Sequence, residues 1–371
     1  MKFHIVIMVL ILLANCQMDQ NKTIIKNNTY SFYVGTYTDK ESRGIYKYSL
    51  RKDGSLKRIG LAAKAENPAF LAMSADKKYL LAVNEVNNNG IGFVESFLIE
   101  GDSLTLISRR SSGGAHPCFI TVNTMGFVLV TNYTGGNVGL LRLNKEGELS
   151  PLLDVQTHNV DDISGNQQTA HAHSAWFEPS DNAVICVDKG TNELWFSRLD
   201  TGSQKLIPPN PQIMKMAPEA GPRHLAIHPN GHWIYVLNEL NNTITLVQKT
   251  DDGVYLKDES FSTLPVGYTG NSICADIKIS SDGKFVYASN RGHDSIAIFK
   301  VNPNSGFLKL VGHQSSLGNA PRNISLSPDE NFLLVANRHS NNIVSFKRDK
   351  ITGLLKEADR IEVPTPACIV F

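Results

Sequence analysis

The stretch "GPRHLAIHPNGHWIYVLNE", residues 221–239, decides the reading of this chain. Two apolar runs, LAI and WIYVL, flank the polar turn HPNGH, so the segment reads as a β-hairpin. An Arg-His pair opens it and an Asn-Glu pair closes it. The same pattern recurs in "NPAFLAMSADKKYLLAVNE" (67–85), "CADIKISSDGKFVYASNR" (274–291) and "APRNISLSPDENFLLVANR" (320–338). With small changes it recurs again at 116–133 and 172–189. The closing anchors are Asn84, Asn132, Asp188, Asn238, Asn290 and Asn337, spaced by 48, 56, 50, 52 and 47 residues. A period of this size marks a repeat architecture.

A second series carries the same period. Polar turns fall at Gly54, Gly101, Gly147, Gly202, Gly253, Gly306 and Gly353, one more than the anchors. The extra turn follows "SFYVGTYTDKESRGIYKYSLRKDG", where Gly35 takes the anchor position. This first unit lacks its opening strand, and "PTPACIVF" (364–371) is an opening strand with nothing after it. Chain end and chain start therefore complete one unit. The expected fold is all-β: a seven-bladed β-propeller of four antiparallel strands per blade, closed by the C-terminal strand.

The composition agrees. Of 371 residues, 42% are hydrophobic and 19% charged, enough for a large core. A formal net charge of +1 gives no electrostatic reason to expect a nucleic-acid partner. Residues 1–16, "MKFHIVIMVLILLANC", read as a signal peptide, and the LANC ending resembles a lipobox with Cys16 as the lipidated residue. Asn15 departs from the usual small residue there, so plain secretion is the alternative. Residues 17–30 read as a polar tether and 31–371 as the propeller. The chain is expected to be exported, periplasmic or held at the outer membrane, touching membrane only through Cys16. Cys118, Cys186, Cys274 and Cys368 have no zinc spacing and read as buried free thiols, with a disulfide formed after export as the alternative.

In such a ring both ends of each inner hairpin meet at one mouth of the central channel. The innermost strands begin at Ala69, Cys118, His173, Arg223, Ala275, Arg322 and Ala367. Just past the anchors stand Thr36, Glu85, Tyr133, Lys189, Glu239, Arg291 and Arg338. Four arginines, a glutamate and several histidines converge, which points to an anionic small-molecule substrate. His173, Arg223, Glu239 and Arg291 are the candidate catalytic residues. Arg322, Arg338, Glu85, His171 and His224 are candidates for substrate binding. No metal-ligand spacing and no G-x-S-x-G elbow are seen, so neither a metal, a cofactor nor an acyl-enzyme is expected. Connections 155–171 and 206–221 are expected to overhang the mouth.

The motifs "YVGTYT" (33–38), "HAHS" (171–174), "GPRH" (221–224), "LNE" (237–239) and "SNRG" (289–292) resemble those of the seven-bladed propeller lactonases. Bacterial members of that family are assigned as 6-phosphogluconolactonases, and fungal carboxymuconate lactonising enzymes share the fold. The resemblance covers residues 31–371 and implies hydrolysis of a sugar-acid lactone. The family's proposed active-site residues match His173, Arg223, Glu239 and Arg291. In that chemistry His173 or Glu239 would be the general base and Arg223 or Arg291 would stabilise the oxyanion; the alternative role for Glu239 is to orient an arginine through an ion pair. A binding protein for acidic sugars, an interaction scaffold and a cycloisomerase are the alternatives. The export signal departs from the cytoplasmic setting of phosphogluconolactone.

Overall fold

Seven antiparallel sheets follow one another along the chain in the computed structural model. It describes residues 29–158, 169–179, 182–210 and 212–371. The stretch read as a signal peptide, with Cys16, most of the stretch read as a tether and the middle of connection 155–171 lie outside the described residues. Strand Thr29–Thr36 starts two residues inside the stretch read as tether.

Blade 1 pairs the last strand, Pro366–Val370, with Thr29–Thr36, followed by Gly44–Arg51 and Leu56–Lys64. Val34 faces Ile369 and Gly35 faces Cys368 across the closing pair. This is the ring closure expected from the orphan strands. Gly35 stands where other blades have Asn or Asp because blade 2 presses on it: a Cβ there would lie 2.2 Å from the Pro68 carbonyl oxygen. Blades 2 to 7 then occupy residues 71–111, 117–157, 172–215, 222–262, 273–315 and 321–362.

The core is not one mass but a series of seams. Phe32, Val34 and Tyr48 of blade 1 pack on Phe332 and Leu334 of blade 7. Tyr33, Ile45 and Leu71 join blades 1 and 2, and equivalent clusters fill the five remaining seams. Inner strands are therefore covered on both faces. In Trp233–Asn238 every residue after Trp233 is buried, whereas five of the eight residues of the outer strand Tyr255–Ser262 are exposed. Burial of each large aliphatic or aromatic side chain contributes roughly 1.5–3 kcal/mol, so the seams hold the ring together. All four described cysteines are free and buried.

Connection 206–221 departs from its expected role as an overhanging rim. Its first part belongs to the outer edge of blade 4. Lys205–Ile207 and Ile213–Lys215 both pair with Glu193–Asp200, so the outermost strand comes in two pieces. Connection 155–171 likewise begins as the outer strand Asp154–Thr157 of blade 3.

Candidate active site

A register slip at the start of the innermost strands aims the site. In blade 5, Pro222 pairs with Asn238 and His224 with Leu237, which leaves Arg223 unpaired. The same bulge isolates Cys118, His173, Arg322 and Ala367 in their blades. A bulge re-aims the extra side chain, and all five are among the strand-start residues that the sequence places at the channel mouth.

Glu239 is the centre of the charge network. Its Oε2 lies 2.9 Å from Arg223 Nε and 2.9 Å from Arg291 Nη2, and its Oε1 accepts from Lys189 Nζ at 2.6 Å. Burial alone would raise its pKa. Arg223, Arg291 and Lys189 outweigh that and hold it at about 2. Of the two roles expected for Glu239, this geometry favours the ion-pair partner over the general base: a carboxylate pinned by three cations is a poor proton acceptor near neutral pH. Its geometry is that of an ion-pair hub that orients two guanidinium groups.

Arg223 is 2% exposed and donates through Nη1 to the Ala275 carbonyl oxygen. Burial and the Arg322 charge lower its pKa, with Glu239 opposing. His224 supports it from behind. His224 Nδ1 sits 2.8 Å from Asp276 Oδ1, and its Nε2 lies 3.3 Å from Arg223 Nη1. Burial and the Arg223 charge bring its pKa down to about 3, so the ring is neutral. The network then assigns Nδ1 as donor to Asp276 and Nε2 as acceptor from Arg223. Phe70 and Phe119 close over the ring at 5.9 and 5.5 Å. His224 was expected to bind substrate; sealed by these rings and 2% exposed, it instead positions Arg223.

His173 lies 5.3 Å from the His224 ring and 5.6 Å from Tyr133. Burial, then Arg223, His224, Arg322 and Lys189, push its pKa well below the usual histidine value. It is a neutral imidazole facing a cationic mouth. The neighbouring Cys118 thiol, 3.9 Å from His173 Nδ1, is pushed up to about 12 by burial, which removes it as a thiolate nucleophile. His171 stands on the rim, stacked on Tyr133 at 4.4 Å.

Arg291 links this hub to a cleft. It donates to the Cys274 carbonyl oxygen at 2.7 Å, and burial first, then Arg223, lowers its pKa to about 10. With Arg322 and Arg338 it lines an open cleft of about 530 Å³ between blades 6 and 7. Glu85 reaches this group through Tyr37, whose hydroxyl donates to Glu85 Oε2 at 2.8 Å. The repulsion expected among the arginines is thus partly relieved by Glu239 and Glu85. Five cations (Lys189, Arg223, Arg291, Arg322 and Arg338) still face two carboxylates.

Lys189, Tyr37 and Asp276 were not among the candidates. Lys189 occupies the same repeat position as Glu239 and was within reach of the register argument. Tyr37 and Asp276 each stand one residue beyond a register position, and no periodic signal marks them. Among the described residues, no three His, Cys, Asp or Glu side chains converge as a metal site.

Residues 31–371 match the sequence family described as lactonase, 7-bladed beta-propeller. The chain belongs to the seven-bladed β-propeller lactonase family. Two curated relatives carry the name 6-phosphogluconolactonase. The Bacillus subtilis protein is 36% identical over 348 residues, covering 92% of this chain and 98% of its own. The Formosa agariphila protein is 34% identical, covering 79% and 85%. Among solved structures, the periplasmic gluconolactonase of Pseudomonas aeruginosa superposes on this lactonase-family chain with a TM-score of 0.86. It is 28% identical and covers 92% of this chain and 98% of its own. A Bacteroides fragilis structure gives a TM-score of 0.85 at 32% identity, covering 95% and 99%.

Proposed function

We propose that the chain hydrolyses a sugar-acid lactone of the 6-phosphogluconolactone kind, with no metal taking part. The observation that carries this is the Glu239 hub, which pairs Arg223 with Arg291, with the neutral His173 in the field of Arg223. The names of the relatives support hydrolysis over the cycloisomerase, binding and scaffold alternatives.

In the proposed reaction His173 accepts a proton from water as its oxygen attacks the lactone carbonyl carbon. The carbonyl oxygen becomes an oxyanion. Arg291, which borders the cleft, stabilises it, with Arg223 behind it across Glu239. The C–O bond to the ring oxygen then breaks. His173 returns its proton to that oxygen, and the open-chain aldonic acid leaves, releasing the water's second proton to solvent as it ionises to the aldonate. A neutral imidazole is the right form to start from, but the nearby cations oppose its protonation. An anionic substrate offsets those cations, so binding of the correct charge raises the basicity of His173 at the moment it is needed.

We further place the domain outside the cytoplasm, anchored through Cys16. The apolar run before LANC supports this, and loss of palmitate labelling in Cys16→Ser would check it.

The test of the activity is turnover of fresh 6-phosphogluconolactone and of gluconolactone by pH-stat, with and without a chelator, after subtraction of spontaneous hydrolysis. Turnover above background, insensitive to the chelator, is expected. No turnover of either lactone would sink the hydrolase reading.

A further inference from the structure

Blades 1, 2 and 7 meet at Tyr37 at the channel mouth. It packs with Ala69 and Ala367 and is 8% exposed. Arg322 Nη2 donates to its hydroxyl oxygen at 2.6 Å, and the hydroxyl donates onward to Glu85 Oε2 at 2.8 Å. The face of its ring carries Arg338, whose Cζ lies 3.9 Å from the centroid.

This arrangement separates charges that would otherwise cancel. A glutamate in direct contact with Arg322 would consume its donors. Tyr37 stands between them, so Glu85 fixes the hydroxyl's direction without capping the guanidinium. Arg338 is held by its flat face, which leaves its N–H edges unspent. Among the described residues, neither Arg322 nor Arg338 has a carboxylate within ion-pair distance, and both line the cleft beside Arg291. Two guanidinium edges in an open cleft match the oxygens of a phosphate or carboxylate.

We infer that Tyr37 is the positioning residue for charge selectivity, setting Arg322 and Arg338 to hold an anionic substituent of the lactone. The inference rests on the hydrolase reading of the same site. Arg291 and the Glu239 hub handle the carbonyl end, and the Tyr37 group handles the far end.

The full-length protein and its Tyr37→Phe and Arg338→Met variants would be compared on 6-phosphogluconolactone and gluconolactone. Losing one hydrogen bond to a charged group should raise KM for the phosphorylated lactone about tenfold or more, with kcat little changed. The change on gluconolactone should be several-fold smaller. Inorganic phosphate should bind the wild-type protein in calorimetry and bind both variants more weakly, with melting temperatures showing that the variants are folded. Equal losses on the two lactones, a loss confined to kcat, or phosphate binding equally to all three proteins would overturn the inference. If the wild-type protein turns over neither lactone, the hydrolase reading fails on its own. The phosphate titration still decides whether Tyr37 sets an anion site.

Discussion

Arg291 of blade 6 and Glu239 of blade 5 lie 2.9 Å apart, and this contact joins the two halves of the site. On one side Glu239 gathers Arg223 and Lys189; on the other Arg291 opens onto the cleft. Removing either partner separates the proposed hydrolytic centre from the place where the substrate would lie.

Glu239→Gln keeps the shape and removes the charge. Three cations then share a buried spot with no counter-ion, so turnover should fall by more than about a hundredfold and stability by about 3 kcal/mol. The pH dependence is a sharper check. The folded-state pKa of Glu239 is depressed from an ordinary 4.5 to about 2. Its stabilisation is thus complete above about 4.5 and lost as pH falls toward 2. Denaturant titrations should show that acid-side loss in the wild-type protein and a smaller one in the variant.

His173 should set the acid limb of the activity profile. Its pKa is well below 6.5 in the free protein, so kcat/KM should hold its value as pH falls through 6.5. A bound anion offsets the Arg and Lys charges, so the acid limb of kcat should lie at higher pH than that of kcat/KM. Coincident limbs near 6.5 would remove His173 as the base.

Arg291→Ala should lose about 10²–10³ in kcat on a confirmed substrate, the range for removal of an oxyanion donor. Arg223 acts from behind through Glu239, so Arg223→Ala should lose less. Stability should separate them. Arg223 is 3% exposed in its side chain and Arg291 16%, so the Arg223 variant should melt lower. Wild-type turnover by either variant would dismiss that arginine from the chemistry.

Asp188 holds the turn that carries Lys189. Its Oδ1 accepts from the backbone N–H groups of His171, Gly190 and Thr191, and its Oδ2 from His158 Nδ1 at 2.6 Å. Gly190 follows because any Cβ there would meet the Thr169 carbonyl oxygen at 1.9 Å. Asp188→Asn keeps one acceptor but turns an amide toward His158. A loss of about 1–3 kcal/mol is expected, measurable in urea. The folded pKa of Asp188 is lowered, so its contribution is present above the ordinary aspartate value and disappears as pH falls below it; the wild-type advantage over the variant should shrink there.

Much of this was legible in the residues. The Asn/Asp anchors repeat because each inner hairpin is built the same way, and the unmatched first and last strands leave only one closure. Counting from the anchors found Glu239, Arg291 and Arg338. Counting from the hairpin starts found His173, Arg223 and Arg322. What register alone missed is chemistry decided between blades. Glu239 could be read as a base until Lys189, Arg223 and Arg291 were seen on it. His224 stands next to Arg223 in the chain, yet the bulge leaves Arg223 at the channel and His224 packed on Asp276. Connection 206–221 shows no strand periodicity, and its short outer-edge strand forms only because Glu193–Asp200 offers a free edge.

By itself the sequence determined the number of blades, the closure and the ring position of most of the site, because hydrophobic periodicity and turn chemistry are local. Only the tertiary structure decided protonation and access. Those depend on which charges and rings from other blades come within a few ångströms, as Tyr37 does for Arg322 and Glu85 from opposite sides of the seam. Burial strengthens every such contact by removing the water that would screen it.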